Sequence, residues 1–156
     1  MTLHDGVHVS LRSLVAKQPK STLITFVYTR CTTICVALGY EFKRLQEQIA
    51  DSGLSQSVQL LSISFDPEHD TPQVLAQYAG RMRADPAIWR IATIEDESEL
   101  EQLLDTFGIV VIRDELGGFQ HNAAFHVVAP DGQLSEIVDL AKPNQALQRA
   151  LARSER

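Results

Sequence analysis

The sequence predicts an α/β sandwich built on a mixed central sheet. Three observations carry that expectation. β-rich runs alternate with amphipathic stretches of helical period as far as residue 107, a Pro-Asp-Gly turn joins two further β-rich runs, and a last helical stretch closes the chain.

Val7 to Leu14 reads as a short strand or hairpin leading in. Thr22 to Tyr28 mixes β-branched and aromatic residues and predicts a buried strand. Leu38, Phe42, Leu45 and Ile49 then recur at spacings of 4, 3 and 4, the apolar stripe of an amphipathic helix. Asp51-Ser52-Gly53 ends it, with Gly53 as a left-handed cap. Val58 to Phe65 is the second strand. Gln73 to Arg83 is helical, entered through Thr71 as cap and Pro72 at the first helical position. Trp89 to Thr93 is a third strand, and Ser98 to Phe107 a helix with Leu100, Leu103, Leu104 and Phe107 on its apolar side, closed by Gly108. Phe125 to Val128 and Leu134 to Val138 flank Ala129-Pro130-Asp131-Gly132 and predict an antiparallel hairpin. Asn144 to Ala152 is the closing helix. This order is that of the thioredoxin-like architecture.

The chain has 156 residues, which favours one domain over 1–156. A domain of this size buries roughly 68–70% of its unfolded surface and folds without covalent staples. Hydrophobic residues are 44% and charged residues 22%, ordinary globular values that exclude disordered and fibrous classes. Fourteen Lys and Arg against twenty Asp and Glu give a net charge of −6, the wrong sign for a nucleic-acid binder or for an acidic membrane surface. Two cysteines are too few for a disulfide scaffold. No apolar run approaches the ~18 residues of a transmembrane helix. Met1 to Gly6 lacks the basic and apolar blocks of a signal peptide.

The sharpest feature is Thr29-Arg30-Cys31-Thr32-Thr33-Ile34-Cys35, placed where the first buried strand hands over to the first long helix. If both cysteines lie in the first helical turn, they share one face with Cβ atoms ~5–6 Å apart. A helix N-terminus offers free N–H groups and partial positive charge, which favour thiolates. Two buried structural cysteines are the plain alternative. The chemical readings are a redox pair, wider than the usual Cys-x-x-Cys, or a soft site for Cu(I), Zn(II) or an iron–sulfur species. Two thiolates do not close a zinc site, so a further ligand has to come from elsewhere.

There are five histidines. His4 and His8, in the lead-in segment, are expected to be solvated. His69 lies in the acidic, turn-rich loop Asp66-Pro67-Glu68-His69-Asp70-Thr71-Pro72. That loop caps the next helix through Asp70 or Thr71. If the strands are parallel, it reaches the sheet end that carries the cysteines, where Asp66 can accept a hydrogen bond from a metal-ligating group. His121 and His126 fall on opposite faces if their strand is continuous, so they do not chelate one ion together.

Four segments taken together resemble the Sco/SenC family. Phe26-Val27-Tyr28-Thr29-Arg30-Cys31 followed by Cys35 is similar to the family's Phe-x-Tyr-Thr-x-Cys-x-x-x-Cys. Asp66-Pro67-Glu68-His69-Asp70-Thr71-Pro72 is similar to its Asp-Pro-x-x-Asp-Thr-Pro loop. Trp89 and the helix ending Phe107-Gly108-Ile109 fit its third strand and following helix. His121 stands nine residues before Pro130-Asp131-Gly132, the family's spacing of histidine to turn. The resemblance runs from about Leu3 to Leu151.

The resemblance implies a thioredoxin-like fold and a copper-binding metallochaperone for the binuclear copper centre of cytochrome c oxidase. Carried over, the ligands of Cu(I) or Cu(II) are Cys31, Cys35 and His121. It implies as partners the copper-site subunit of the oxidase or another copper chaperone. The expected protein is a monomer, periplasmic or anchored to a membrane and facing the periplasm, with signal or anchor not in this chain. The sequence departs from the family pattern at Thr32 and Val36, where the family has prolines, and at Gln120, where it has Asp before the histidine. His126 sits where the family prefers an aromatic residue. The alternative reading is a thiol-disulfide oxidoreductase in which Cys31 attacks and Cys35 resolves. Thr32-Thr33-Ile34-Cys35 also echoes the Thr-x-x-Cys of peroxiredoxins, without the proline those enzymes place before the threonine.

Overall fold

The structure, a computed structural model, describes residues 1–16, 19–115 and 117–154. Its elements are β1 (Thr2–Leu3), α1 (Leu11–Val15), β2 (Ser21–Val27), α2 (Ile34–Asp51), β3 (Val58–Ser64), α3 (Pro72–Met82), β4 (Trp89–Thr93), α4 (Glu97–Phe107), β5 (Val111–Arg113), β6 (Phe119–His121), β7 (Phe125–Val128), β8 (Leu134–Val138) and α5 (Pro143–Ser154).

Six strands form one sheet in the order β1-β4-β3-β2-β7-β8. β2, β3 and β4 are parallel, with Phe26 opposite Ile63 and Leu60 opposite Trp89. β7 runs antiparallel to β2, and β8 antiparallel to β7. The sheet is therefore mixed, and the fold is the expected thioredoxin-like one, ending in a β-hairpin and a helix. Every residue of β2 is buried, as a central strand covered on both faces requires. α2 packs on β2, β3 and α3, and α5 lies across β2, β3, β7 and β8. Between them the Phe42 ring stacks on Phe125 and meets the edge of Trp89, whose indole N–H donates to the buried Ser62 hydroxyl at 3.0 Å.

Local chemistry sets the helix ends. Thr71 caps α3 by accepting the Val74 N–H, and Pro72 occupies its first turn. Asp96 caps α4, and Gly108 ends it at φ 66°, where a side chain would be strained. The lead-in differs from expectation. Val7 to Leu14 holds no full strand: Thr2–Leu3 pairs with β4, His8 folds back in a single antiparallel bridge to Thr2, the one trace of the expected hairpin among the described residues, and Leu11–Val15 is a short helix. The Ser10 hydroxyl caps that helix on the Ser13 N–H, and burial of Leu14 and Val15 fixes it. His4 is half-buried rather than solvated, its Nδ1 lying 3.3 Å from the Ile91 carbonyl. A second, two-stranded sheet of β5 and β6 was not expected.

His121 and His126 are not on one continuous strand. His121 ends β6, and His126 lies within β7, buried between the rings of Phe26 and Phe107. Burial holds the His126 imidazole below its ordinary pKa, against the pull of the Ile24 and Phe107 carbonyls. The folded pKa thus lies under the unfolded one, so the unfolded chain takes up the proton first. Stability is present above about pH 6.5 and is lost as pH falls below it, with a slope of at most about 1.4 kcal/mol per pH unit for this group. Urea unfolding of the copper-free protein at pH 7.5 and pH 5 should show the loss, and His126→Phe should shrink it.

Candidate metal centre

The parallel pairing of β2 and β3 brings the loops after both strands out at one sheet edge. The cysteines lie in the first loop and the start of α2. Only Cys35 is inside the helix; Cys31 precedes it, because α2 begins at Ile34. The shared helical face expected for both is replaced by a tighter arrangement. Thr33, the residue before the helix, makes no side-chain cap bond. Instead the Cys31 sulfur accepts the Cys35 N–H at 3.3 Å and sits 3.6 Å from the Thr33 hydroxyl. Both cysteines are free and buried, 7% and 3% exposed.

Their environments push the two thiols apart. Burial pushes Cys31 up, but the N–H groups of Cys35 and Thr33 and the Thr33 hydroxyl outweigh it, leaving the thiol below its ordinary value. Burial drives Cys35 well above the ordinary thiol range. The Tyr28 backbone offsets this only in part, and the charges of Cys31 and Asp70 add to it.

His121 arrives on the β5–β6 hairpin, in register with Val111. Gly117, at φ 78°, allows the turn, and the Gly118 N–H closes it on the Asp114 carboxylate at 2.8 Å. The Tyr28 hydroxyl donates to the Phe119 carbonyl at 3.3 Å, fastening the hairpin to the end of β2. The imidazole packs on Phe65, centroids 4.8 Å apart. Its Nδ1 lies 2.9 Å from the Asn122 carbonyl. A carbonyl only accepts, so Nδ1 carries the proton and Nε2 presents a lone pair. That Nε2 faces the Cys35 sulfur at 3.4 Å. Burial holds the ring below its ordinary pKa despite the Asn122 carbonyl, so it is neutral at pH 7, the form that ligates metals. Asn122 is itself fixed: its carbonyl Oδ1 accepts the Val110 N–H and its Nδ2 donates to the Gly108 carbonyl.

One donor atom each from Cys31, Cys35 and His121 thus lie within 4.8 Å of one another. Three donors with bonds of about 2.0–2.3 Å to a shared ion stand about 3.5–4.0 Å apart, so the set closes on a metal with a shift of at most about 1 Å. Two thiols and an imidazole are soft to intermediate donors, the kind copper takes.

Asp66 is at the same edge, buried, but it touches neither cysteine nor His121. Its carboxylate accepts from Arg30 at 2.9 Å and lies 3.1 Å from Nδ1 of His69. The bond to the imidazole Nδ1 is made by the Asn122 carbonyl, while the Asp66 carboxylate is taken up by Arg30 and His69. Arg30 also donates to the Gly117 carbonyl at 3.2 Å, so it ties loop to hairpin. Asp66, Glu68 and His69 make a second cluster within 4.8 Å, already engaged by Arg30 and Arg113. Of the two expected caps, Thr71 performs that task. Asp70 turns inward and accepts the Thr29 N–H at 2.9 Å, the Thr29 hydroxyl, and the Ser64 hydroxyl at 2.6 Å. Gln120, where the family pattern has Asp, is exposed on β6 opposite Ile112.

The family model described as SCO1/SenC matches residues 2–155. The chain is 32% identical over 133 residues to the SCO1 protein homolog of Bacillus subtilis, covering 83% of this chain and 66% of that protein, just under two thirds. A SCO1/SenC family lipoprotein from Bacillus anthracis superposes with a TM-score of 0.85 at 23% identity, over 99% of this chain and 91% of that one, and shows the fold. Bradyrhizobium japonicum ScoI with copper bound superposes with a TM-score of 0.75 at 25% identity, over 97% and 94% of the two chains. Since the match runs almost from end to end and takes in both cysteines and the histidine that faces them, the chain belongs to the SCO1/SenC family.

Proposed function

We propose that the protein is a copper-binding metallochaperone that holds its cargo through Cys31, Cys35 and His121. One observation carries this: the Nε2 lone pair of His121, set by the Nδ1 bond to Asn122, faces the Cys35 sulfur at 3.4 Å. A copper-bound relative of the same fold supports the choice of metal. Each thiol gives up its proton as it ligates, and the low-lying Cys31 thiol does so first. The fully reduced protein, titrated with Cu(II), should take up one equivalent with a thiolate-to-copper absorption band. A titration with no band, or with a different end point, is incompatible with this site.

The Sco family comprises cytochrome c oxidase assembly proteins, and we place this chain's cargo at the oxidase's binuclear copper centre, delivered to its copper-site subunit or through another copper chaperone. In this reading the protein acts as a monomer, one domain over 1–156, in the periplasm or anchored facing it. Residues 17, 18, 116, 155 and 156 of that span lie outside the described ones. Among the described residues no helix is long and apolar enough to cross a membrane.

The opposed thiol pKa values favour a second reading, a thiol-disulfide oxidoreductase. The Cys31 thiolate attacks a partner disulfide and releases one partner thiolate. Cys35, losing its proton, then attacks the Cys31 sulfur and releases the second, so two electrons leave the pair as a Cys31–Cys35 disulfide. Disulfide reduction by the copper-free protein that persists in His121→Ala would support this activity; its absence in both proteins would exclude it.

A further inference from the structure

His121 stands on a hairpin outside the main sheet, so its place over the cysteines depends on what holds that hairpin down. At the base, Asn122 bonds the Val110 N–H and the Gly108 carbonyl. In the middle, the Tyr28 hydroxyl donates to the Phe119 carbonyl. Arg113 and Glu68 add an ion pair in which both side chains are exposed, a kind that holds weakly. At the tip, the Gly117 N–H donates to the Asp114 carbonyl at 3.2 Å, and the Gly118 N–H to the Asp114 carboxylate. Those two bonds close the turn on itself. The tie from the tip to the rest of the molecule is Nη2 of Arg30, which donates to the Gly117 carbonyl at 3.2 Å.

The other end of Arg30 is firmly anchored. Nη2 and Nε both donate to Oδ2 of Asp66, at 2.9 and 3.3 Å. That carboxylate is 1% exposed, and a buried charge holds its partner closely because it has no water to turn to. Asp66 is itself fixed, its N–H donating to the Ser64 hydroxyl at 3.1 Å. A guanidinium is planar, so once its edge is fastened on Asp66 its remaining N–H groups point in a set direction. Arg30 also directly precedes Cys31. The motif Phe-x-Tyr-Thr-x-Cys leaves this position open, so the strap is this chain's own. We propose that Arg30 is a positioning residue for the metal centre: it straps the tip of the His121 hairpin to the Asp66 loop and so keeps the imidazole over the two sulfurs. The inference rests on the copper reading of the site. Without the strap the hairpin is left to its base, the Tyr28 bond and the packing of Phe119 on Tyr28 and Phe65, and its tip lifts. Both thiolates stay in place, so the histidine is the ligand that lets go first.

The test compares the parent with Arg30→Met, which keeps the stem and removes the donors. In the copper-free protein, amide hydrogen exchange at Asp114 and Gly118 should quicken by about tenfold or more, the loss expected of a hydrogen bond from a charged donor, with Val110 at the base unchanged. Cu(I), supplied anaerobically as its acetonitrile complex, should bind about tenfold or more weakly in competition with bicinchoninate, as when a group supporting a ligand is lost. In His121→Ala the same substitution should cost nothing further, because the ligand it positions is gone. This double-mutant cycle separates the placing of His121 from damage to the cysteine loop. Should Arg30→Met not fold, Arg30→Lys carries the same measurements, since it keeps a charge beside Asp66 but not the fork that spans both acceptors. Unchanged exchange at the tip, or an equal loss of Cu(I) affinity with and without His121, overturns the proposal, while a parent that still takes up its copper leaves the metal reading standing. A parent that takes up no copper overturns both.

Discussion

Cys35→Ser and Cys31→Ser should each abolish the thiolate-to-copper band and lower copper affinity by more than about a hundredfold, beyond what loss of a group supporting a ligand brings. A serine hydroxyl does not ionise at neutral pH and is a hard donor, so neither variant offers a second thiolate. The fold should survive both. In Cys31→Ser the new oxygen accepts the same Cys35 N–H that the sulfur accepts now, as a capping hydroxyl does. In Cys35→Ser the hydroxyl donates to Nε2 of His121, which already faces that position. Bound copper counted after gel filtration, beside thermal unfolding followed by circular dichroism, separates the two effects. Full copper retention in either variant would remove that sulfur from the site.

The parts of this fold that were readable from sequence are those decided by neighbours in the chain. Thr71-Pro72 starts a helix and Gly108 stops one through their own backbone chemistry, wherever the helix goes. β2 was readable because, from Thr22 on, β-branched, aliphatic and aromatic residues follow one another with no charge among them. The β5–β6 hairpin was not, since strands of three half-exposed residues are too short to show a period. Its only local signal is Gly117-Gly118 between Val111 and His121. The site divides the same way. Residue types nominate two cysteines and a histidine, but the direction of the imidazole is set by Asn122, which is anchored to Gly108 and Val110 across the hairpin base. The Asp66–Asp70 loop was readable as acidic and capping. Which carboxylate braces the cysteine loop depends on the pairing of β2 with β3, which no residue in the loop encodes.

Asp70→Ala should be the most destabilising single change at this edge, at about 3–5 kcal/mol. The carboxyl is fully buried, 0% exposed, and three donors converge on it. Alanine leaves the Thr29 N–H, the Thr29 hydroxyl and the Ser64 hydroxyl without their acceptor, and an unmet buried donor costs about 1–3 kcal/mol. Against a total stability of about 5–15 kcal/mol, this should lower the melting temperature by about 10 °C. The damage also reaches the site, because Thr29 lies two residues before Cys31 and Asp70 is what holds it to the β3 loop. Copper affinity should fall although no ligand is touched. Asp70→Asn should cost less: its oxygen still accepts from the Thr29 N–H and Ser64, and the Thr29 hydroxyl can turn to accept from the new amide. Thr71→Ala, one residue on, removes only a long cap bond and should cost about 1 kcal/mol or less. Urea unfolding of the three variants gives the order directly. If Asp70→Ala proves no worse than Thr71→Ala, the cysteine loop is held by its own turn, through the Cys31 N–H to Tyr28 carbonyl bond, and not by the buried carboxylate.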